Sequence, residues 1–180
     1  MGISVCLDLE TMCTLPTAVV LTLGAVKFDP FSMQEPHTPL YTRLEINDQL
    51  EKGRTVSDST MTWWSKQEAS IRDEAFNDDD RDPVEKLLHD LRKYVVGVSH
   101  IYCQGPTFDM VILENMFRQY SIPIPWQYWQ IRDCRTLFDL TGDLRIKSKD
   151  TLHNALADSF SQAVGVQLVH NKLGITGRKK

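Results

Sequence analysis

The chain has 180 residues, 42% of them hydrophobic and 24% charged, with a formal net charge of −4. That supplies apolar material for one globular core and argues against wholesale disorder. The acidic balance excludes a protein that coats nucleic acid through a broad basic surface, but not an enzyme that grips a few nucleotides through bound cations.

The predicted elements begin at once. In residues 3–9 Ile3, Val5, Leu7 and Leu9 alternate in strand fashion, and the opposite face carries Ser4, Cys6, Asp8 and Glu10. AVVLTLGAVKF, 18–28, is long, apolar and rich in β-branched residues, as a central strand is. Asp29-Pro30 ends it in a turn. PLYTRLEI, 39–46, predicts a third, more exposed strand. A short helix capped by Ser59 runs through Met61, Trp63 and Trp64, and another covers Glu68 to Phe76. NDDDRDP, 77–83, is a solvated polar break with no expected role. Asp82-Pro83 opens a helix holding Val84, Leu87, Leu88, Leu91 and Val95 at helical spacing. VSHIYC, 98–103, predicts a fourth strand, and Thr107 opens a helix through Phe108, Val111, Ile112, Met116 and Phe117. Residues 132–140 hold a short strand and a helix. Thr151 to Val164 is the last major helix.

Three strands in an antiparallel meander, then alternating helices and a later strand, predict an α/β fold: a mixed sheet with parallel additions, flanked by helices, consistent with a ribonuclease H-like arrangement. We expect one domain over 1–180, with its core at about 3–165 and a flexible basic tail at 174–180. No apolar run is long enough for a membrane span, and MGISVC is not a secretory signal. Cys6, Cys13, Cys103 and Cys134 form no CxxC pair, which suits reduced, buried thiols in a cytoplasmic protein.

Asp8 and Glu10 project from the same strand face about 6.6 Å apart. Two ionised carboxylates there repel, and burial raises the cost, whereas a hard divalent cation removes it. Taken alone, DxE more often marks a wet strand face. Asp109, in CQGPTFDMVIL, falls in a first helical turn, where the helix dipole favours any acid. In DTLHNALADSF, 150–160, His153 and Asp158 would diverge by about 140° on one helix. They converge only if His153 hangs from the turn before the helix. Ala155 and Ala157 keep that surface low, so another element or a substrate can approach.

LDLET, GPTFD and HNALAD, in this order, resemble the three motifs of the DEDD superfamily of 3′–5′ exonucleases, in the branch with a histidine five residues before the last Asp. Asn154 stands where another branch has tyrosine. TMTWWSKQ, 60–67, and YWQIRDCRTLFDL, 128–140, are similar to segments of phage exonuclease A-type and bacterial exoribonuclease-like proteins. The resemblance spans about residues 3–165. It implies that Asp8, Glu10, Asp109 and Asp158 bind two divalent cations, Mg²⁺ or Mn²⁺, with His153 as general base. These five are the expected catalytic residues. The implied reaction is hydrolysis from the 3′ end of nucleic acid, releasing nucleoside 5′-monophosphates, with single-stranded DNA favoured over RNA by the phage-like segments. A departure is Met12-Cys13 after LDLET, where many relatives have glycine.

Expected substrate contacts are Thr11, Met12 and Phe108 beside the terminal nucleotide, Trp63 and Trp64 through base stacking, and Arg132 and Arg135 as phosphate forks. Trp63 and Trp64 are adjacent on a helix, so one can be core while the other is exposed. Lys147, Lys149 and the tail GRKK are further candidates for the backbone of the substrate. His37, His89, His100 and His170 suggest no metal site. An exoribonuclease of the same fold and a non-catalytic, polymerase-associated nucleic-acid-binding module are the alternatives. The partner is a nucleic acid 3′ end and not a membrane, and the oligomeric state is open, a homodimer included.

Overall fold

The computed structural model describes residues 2–145 and 153–177. Lys147, Lys149, Thr151 and residues 178–180 lie outside them. Six strands form one mixed sheet: β1 (Ser4–Thr11), β2 (Val20–Phe28), β3 (His37–Leu44), β4 (Arg81–Asp82), β5 (Ile101–Cys103) and β6 (Ile131–Asp133), in the order β4-β3-β2-β1-β5-β6. β1–β2 and β2–β3 are antiparallel, while β5 joins β1, β6 joins β5 and β4 joins β3 in parallel. The expected meander with parallel additions is therefore present, and β1 lies inside the sheet.

Among the described residues seven α-helices follow or interleave: α1 (Ile46–Glu51), α2 (Asp58–Trp64), α3 (Ala69–Phe76), α4 (Val84–Tyr94), α5 (Asp109–Gln119), α6 (Cys134–Asp139) and α7 (Ala155–Lys172), with a short 3-10 turn at Tyr128–Gln130. The two faces of β1 serve different layers. Val5, Leu7 and Leu9 pack with Leu87, Leu88 and Leu91 of α4 and Met110, Leu113 and Phe117 of α5. Cys6 on the other face packs with Val26, Phe28 and Tyr102, and with Phe138 of α6 and Val166 of α7. Leu21, Trp64, Ile71 and Ala75 form a third cluster under α2 and α3. All four cysteines are free and buried. Among the described residues no helix is long and apolar enough to cross a membrane.

Several boundaries differ from expectation. β3 stops at Leu44, and Ile46 begins the unforeseen α1. Gln49 of α1 is buried because its side-chain amide serves both backbone groups of Val20: Oε1 accepts from Val20 N–H and Nε2 donates to Val20 O, each at 2.8 Å. Ser57, not Ser59, caps α2. Pro83 itself holds the cap position of α4, one residue later than Asp82. α7 starts at Ala155 and runs to Lys172, well past Val164. At the start of the expected tail Ile175 N–H donates to His170 O at 2.9 Å and Gly177 is buried beside Phe31.

The polar break at 77–83 has a role after all. β1 and β2 pair residue for residue up to Glu10–Thr22, after which Thr11 faces Val20, so Leu21 is an extra residue. Such a bulge leaves local backbone groups without sheet partners. Arg81 reaches in and donates from Nη1 to Leu21 O (3.3 Å) and Leu44 O (2.8 Å), and from Nη2 to Ala75 O (3.0 Å). The acids of the turn stay in solvent while this one guanidinium is buried beneath them.

Candidate active site

Asp8, Glu10, Asp109, His153 and Asp158 line one cleft of about 330 Å³, together with Leu9, Gln104, Phe108, Arg145, Ser161 and Gln162. Each arrives from a different local device. Asp8 and Glu10 share the β1 face that meets α7. Asp109 comes from the far end of β5, where Gly105, at φ +125°, turns the chain and its carbonyl accepts from Phe108 N–H (2.8 Å) and Asp109 N–H (3.2 Å). The helix then starts at Asp109, two residues later than Thr107, and Phe108 takes the cap position with no side-chain bond.

His153 and Asp158 meet because His153 does stand outside the helix. Its φ is +59°, in the left-handed region. Asn154, the tyrosine-equivalent position, is the N-cap: its Oδ1 accepts from Leu156 N–H (3.1 Å) and Ala157 N–H (3.0 Å). His153 N–H donates to Asp158 Oδ2 at 3.1 Å, which stabilises the turn. Donor atoms of Glu10, His153 and Asp158 all lie within 4.8 Å of one another.

The start of α7 reaches the cleft because β2 lets it. Gly24 pairs with Asp8 across the sheet. A Cβ at Gly24 would lie 2.1 Å from the carbonyl carbon of Ala155 and 2.2 Å from Leu156 N, so the helix backbone rests directly on the strand. The small Ala155 is used for this approach to the sheet. Further along α7, Gln162 Nε2 donates to Asp8 Oδ1 at 2.8 Å, and Gln162 Oε1 accepts from Cys6 Sγ at 3.7 Å.

Burial dominates the electrostatics. It pushes Asp8 well above the usual carboxylate range, reinforced by Asp109, Glu10 and Asp158 and opposed by the Gln162 amide. Burial, then Asp158 and Asp109, raises Glu10 to about 8. Asp109 is raised to about 7, again by burial, while the backbone N–H groups of Asp109 and Leu9 and the charge of Arg135 pull it back. Packing these acids together favours their neutral forms unless a cation is added. The donor set is hard oxygen, as Mg²⁺ and Mn²⁺ prefer, with one imidazole at its edge.

The expected substrate contacts divide. Phe108 lines the cleft. Trp63 is 39% exposed and meets His153 edge to face, with ring centroids 4.7 Å apart. Trp64 is a correction: it is 2% exposed, packed in the third cluster, and donates from Nε1 to Thr11 O at 2.9 Å, so no face is free for a base. Thr11 is buried and its hydroxyl donates to Cys13 O, while Met12 packs on the Trp64 cluster; neither lines the cleft. Arg135 does not line the cleft but donates to the backbone of a residue that does, Gln104 O, at 3.3 Å. Arg132 donates from Nη1 to Trp129 O and Ile131 O, at 2.6 and 2.8 Å, and is not among the residues lining the cleft. Among the remaining histidines, His170 is a packing residue, with Nδ1 2.9 Å from Pro30 O and its ring on Phe31. Sequence reasoning missed Gln104, Arg145, Ser161 and Gln162. Of these Ser161 and Gln162, three and four residues after Asp158, carried a helical-spacing signal.

A family model described as the 3′–5′ exoribonuclease Rv2179c-like domain matches residues 4–170. The chain belongs to this family. The exonuclease resemblance of the three motifs is thereby borne out. No curated protein sequence matches this Rv2179c-like domain significantly. Its fold is shared by E. coli exonuclease I in complex with a dT13 oligonucleotide, at a TM-score of 0.68 and 14% identity, over 97% of this chain and 42% of that one. The zinc-bound form of the E. coli exonuclease I–ssDNA complex gives a TM-score of 0.69 and 13% identity, over 97% of this chain and 42% of that one. The Rv2179c-like chain thus spans less than half the length of these proteins.

Proposed function

We propose that this Rv2179c-like domain is a divalent-cation-dependent 3′–5′ exonuclease that removes nucleoside 5′-monophosphates one at a time from single-stranded nucleic acid. The observation that carries the reading is the convergence of Asp8, Glu10, Asp109, Asp158 and His153 on one cleft. Four carboxylates, three of them held above their ordinary range, are a poor way to stabilise a fold and a good way to hold two cations. Bound there, Mg²⁺ or Mn²⁺ supplies Lewis-acid polarisation of the phosphate and lowers the pKa of water.

The protein does the rest. Gln162 fixes the orientation of Asp8. The turn at His153 presents the imidazole toward Glu10 and Asp158, where it takes the proton of the attacking water. Trp63 stands beside that imidazole with part of its ring in solvent, placed to pack on the terminal base. Phe108 gives the cleft an apolar wall against the sugar. Arg135, bonded to Gln104 O and close enough for its charge to act on Asp109, favours phosphate. Four buried, free thiols support a cytoplasmic location.

The family match supports RNA over the DNA expected from the phage-like segments, since the DNA-bound neighbours share only 13–14% identity. The test is side-by-side digestion of 5′-labelled RNA and DNA strands of one sequence, with Mg²⁺ and with EDTA. A ladder shortening from the 3′ end, faster on RNA and abolished by EDTA, is expected. Tight binding without cleavage would point to the non-catalytic binding module instead.

A further inference from the structure

Arg145 lines the cleft, yet its side chain is only 8% exposed. Its stem lies against Gly165 in the middle of α7, where a Cβ would come within 2.6 Å of Arg145 Cγ. Glycine inside a helix destabilises it relative to alanine, so the slot for this arginine is maintained at a cost in stability. The guanidinium carbon sits 4.7 Å from the centre of the Phe138 ring. Asp143 receives a fork, from Nε at 2.8 Å and Nη2 at 2.6 Å, and Nη1 donates to Gln104 Oε1.

Those three bonds use three of the five guanidinium N–H groups. One N–H on each terminal nitrogen has no partner among the described residues. Ser161 Oγ, on the same cleft, is buried and likewise has none. The positive charge is already matched by the Asp143 fork, so what this corner of the site lacks is an acceptor rather than a counter-charge. A tetrahedral oxyanion suits two spare guanidinium donors and a hydroxyl.

We propose that Arg145 is a phosphate-binding residue of the cleft, donating through its two spare N–H groups, with Ser161 Oγ on the same cleft, to non-bridging oxygens of the phosphate that is cleaved. The assignment to the cleaved phosphate rests on the exonuclease reading above. Asp143, Gln104, Phe138 and Gly165 hold the arginine in position.

The test compares the full chain with Arg145→Lys and Arg145→Ala, the lysine variant keeping the stem and the charge but not the fork. Bis-p-nitrophenyl phosphate, a single phosphodiester without a sugar, and a short RNA strand are cleaved with Mg²⁺. Calorimetric titration with uridine 5′-monophosphate and, separately, with Mn²⁺ reads binding. For Arg145→Ala we expect kcat to fall about 100-fold on both substrates, partial rescue by added guanidinium ion, weaker nucleotide binding and unchanged Mn²⁺ affinity, with Arg145→Lys intermediate. Unchanged kcat on the small ester with only a raised KM on the strand would move the contact to an upstream phosphate and overturn the proposal. Wild-type behaviour of both variants in cleavage and nucleotide binding would make Arg145 a structural strut. A wild-type chain that cleaves neither substrate, yet binds the nucleotide through Arg145, would end the exonuclease reading while leaving a phosphate site.

Discussion

Gly24 and Ala155 are in backbone contact: a β-carbon on Gly24 would lie 2.1 Å from the carbonyl carbon of Ala155. Because Gly24 also pairs with Asp8, this one contact sets the height of α7 above the strand that carries two of the acids. Gly24→Ala must therefore lift the start of α7, and His153 and Asp158 with it. A displacement of about 1 Å at a catalytic group costs on the order of 100-fold in rate. We expect a loss of that size in kcat/KM on single-stranded RNA, with a chain that still folds cooperatively by circular dichroism. Near-normal kcat/KM would mean that the cleft tolerates a shifted α7.

His153 can act as base or as ligand, since one of its ring nitrogens lies within 4.8 Å of carboxylate oxygens of Glu10 and Asp158. The base role predicts that His153→Ala keeps its Mn²⁺ affinity in calorimetry but loses about 10²–10⁴-fold in kcat. A large loss of Mn²⁺ affinity would assign the ring to the cation instead.

The raised carboxylates tie stability to pH in the metal-free protein. Glu10 is raised from 4.5 to about 8 and Asp109 from 3.8 to about 7. The folded state holds these protons more tightly than the unfolded chain, so stability is greatest below about pH 4 as far as these groups are concerned and is lost as pH rises toward 8. In EDTA, Tm should fall between pH 5 and pH 8.5, and Glu10→Gln should flatten the decline. Added Mg²⁺ should raise Tm most at the alkaline end, because binding displaces protons. A Tm that climbs with pH in EDTA, equally in wild type and Glu10→Gln, would show that these acids ionise freely.

Arg81 is a buried cation of a different kind, holding the carbonyls of Leu21, Leu44 and Ala75. Arg81→Ala strips the donor from buried acceptors, each costing about 1–3 kcal/mol when unmade. Urea unfolding should show a loss of about 2–4 kcal/mol. An unchanged midpoint would mean that water replaces the guanidinium without penalty.

Much of the fold could be read from the chain because β1, β2, α4 and α5 obey simple periods: two in the strands, three and four in the helices. The DxE pair, the acid after the Gly-Pro turn and the histidine before the last helix were legible for the same reason, each tied to a local geometry. The turn at His153 had to exist for His153 and Asp158 to meet, and it does. What stayed hidden depends on partners far away in the chain. Gln49 reads as an ordinary polar residue until Val20 is placed beside it, and Arg81 as one more charge in an acidic turn. Trp64 looked as available as Trp63; packing against Leu21 and Phe76 decides otherwise. Arg145 had no spacing signal at all, since its fork, its aromatic face and its glycine slot come from three separate places, Asp143, Phe138 and Gly165.

The most direct test is diffraction from crystals soaked in Mn²⁺, recorded for anomalous scattering. The account predicts anomalous density inside the cleft, in contact with oxygens of Asp8, Glu10, Asp109 and Asp158. A cleft free of such density at millimolar Mn²⁺, with those side chains in the positions described, would contradict it.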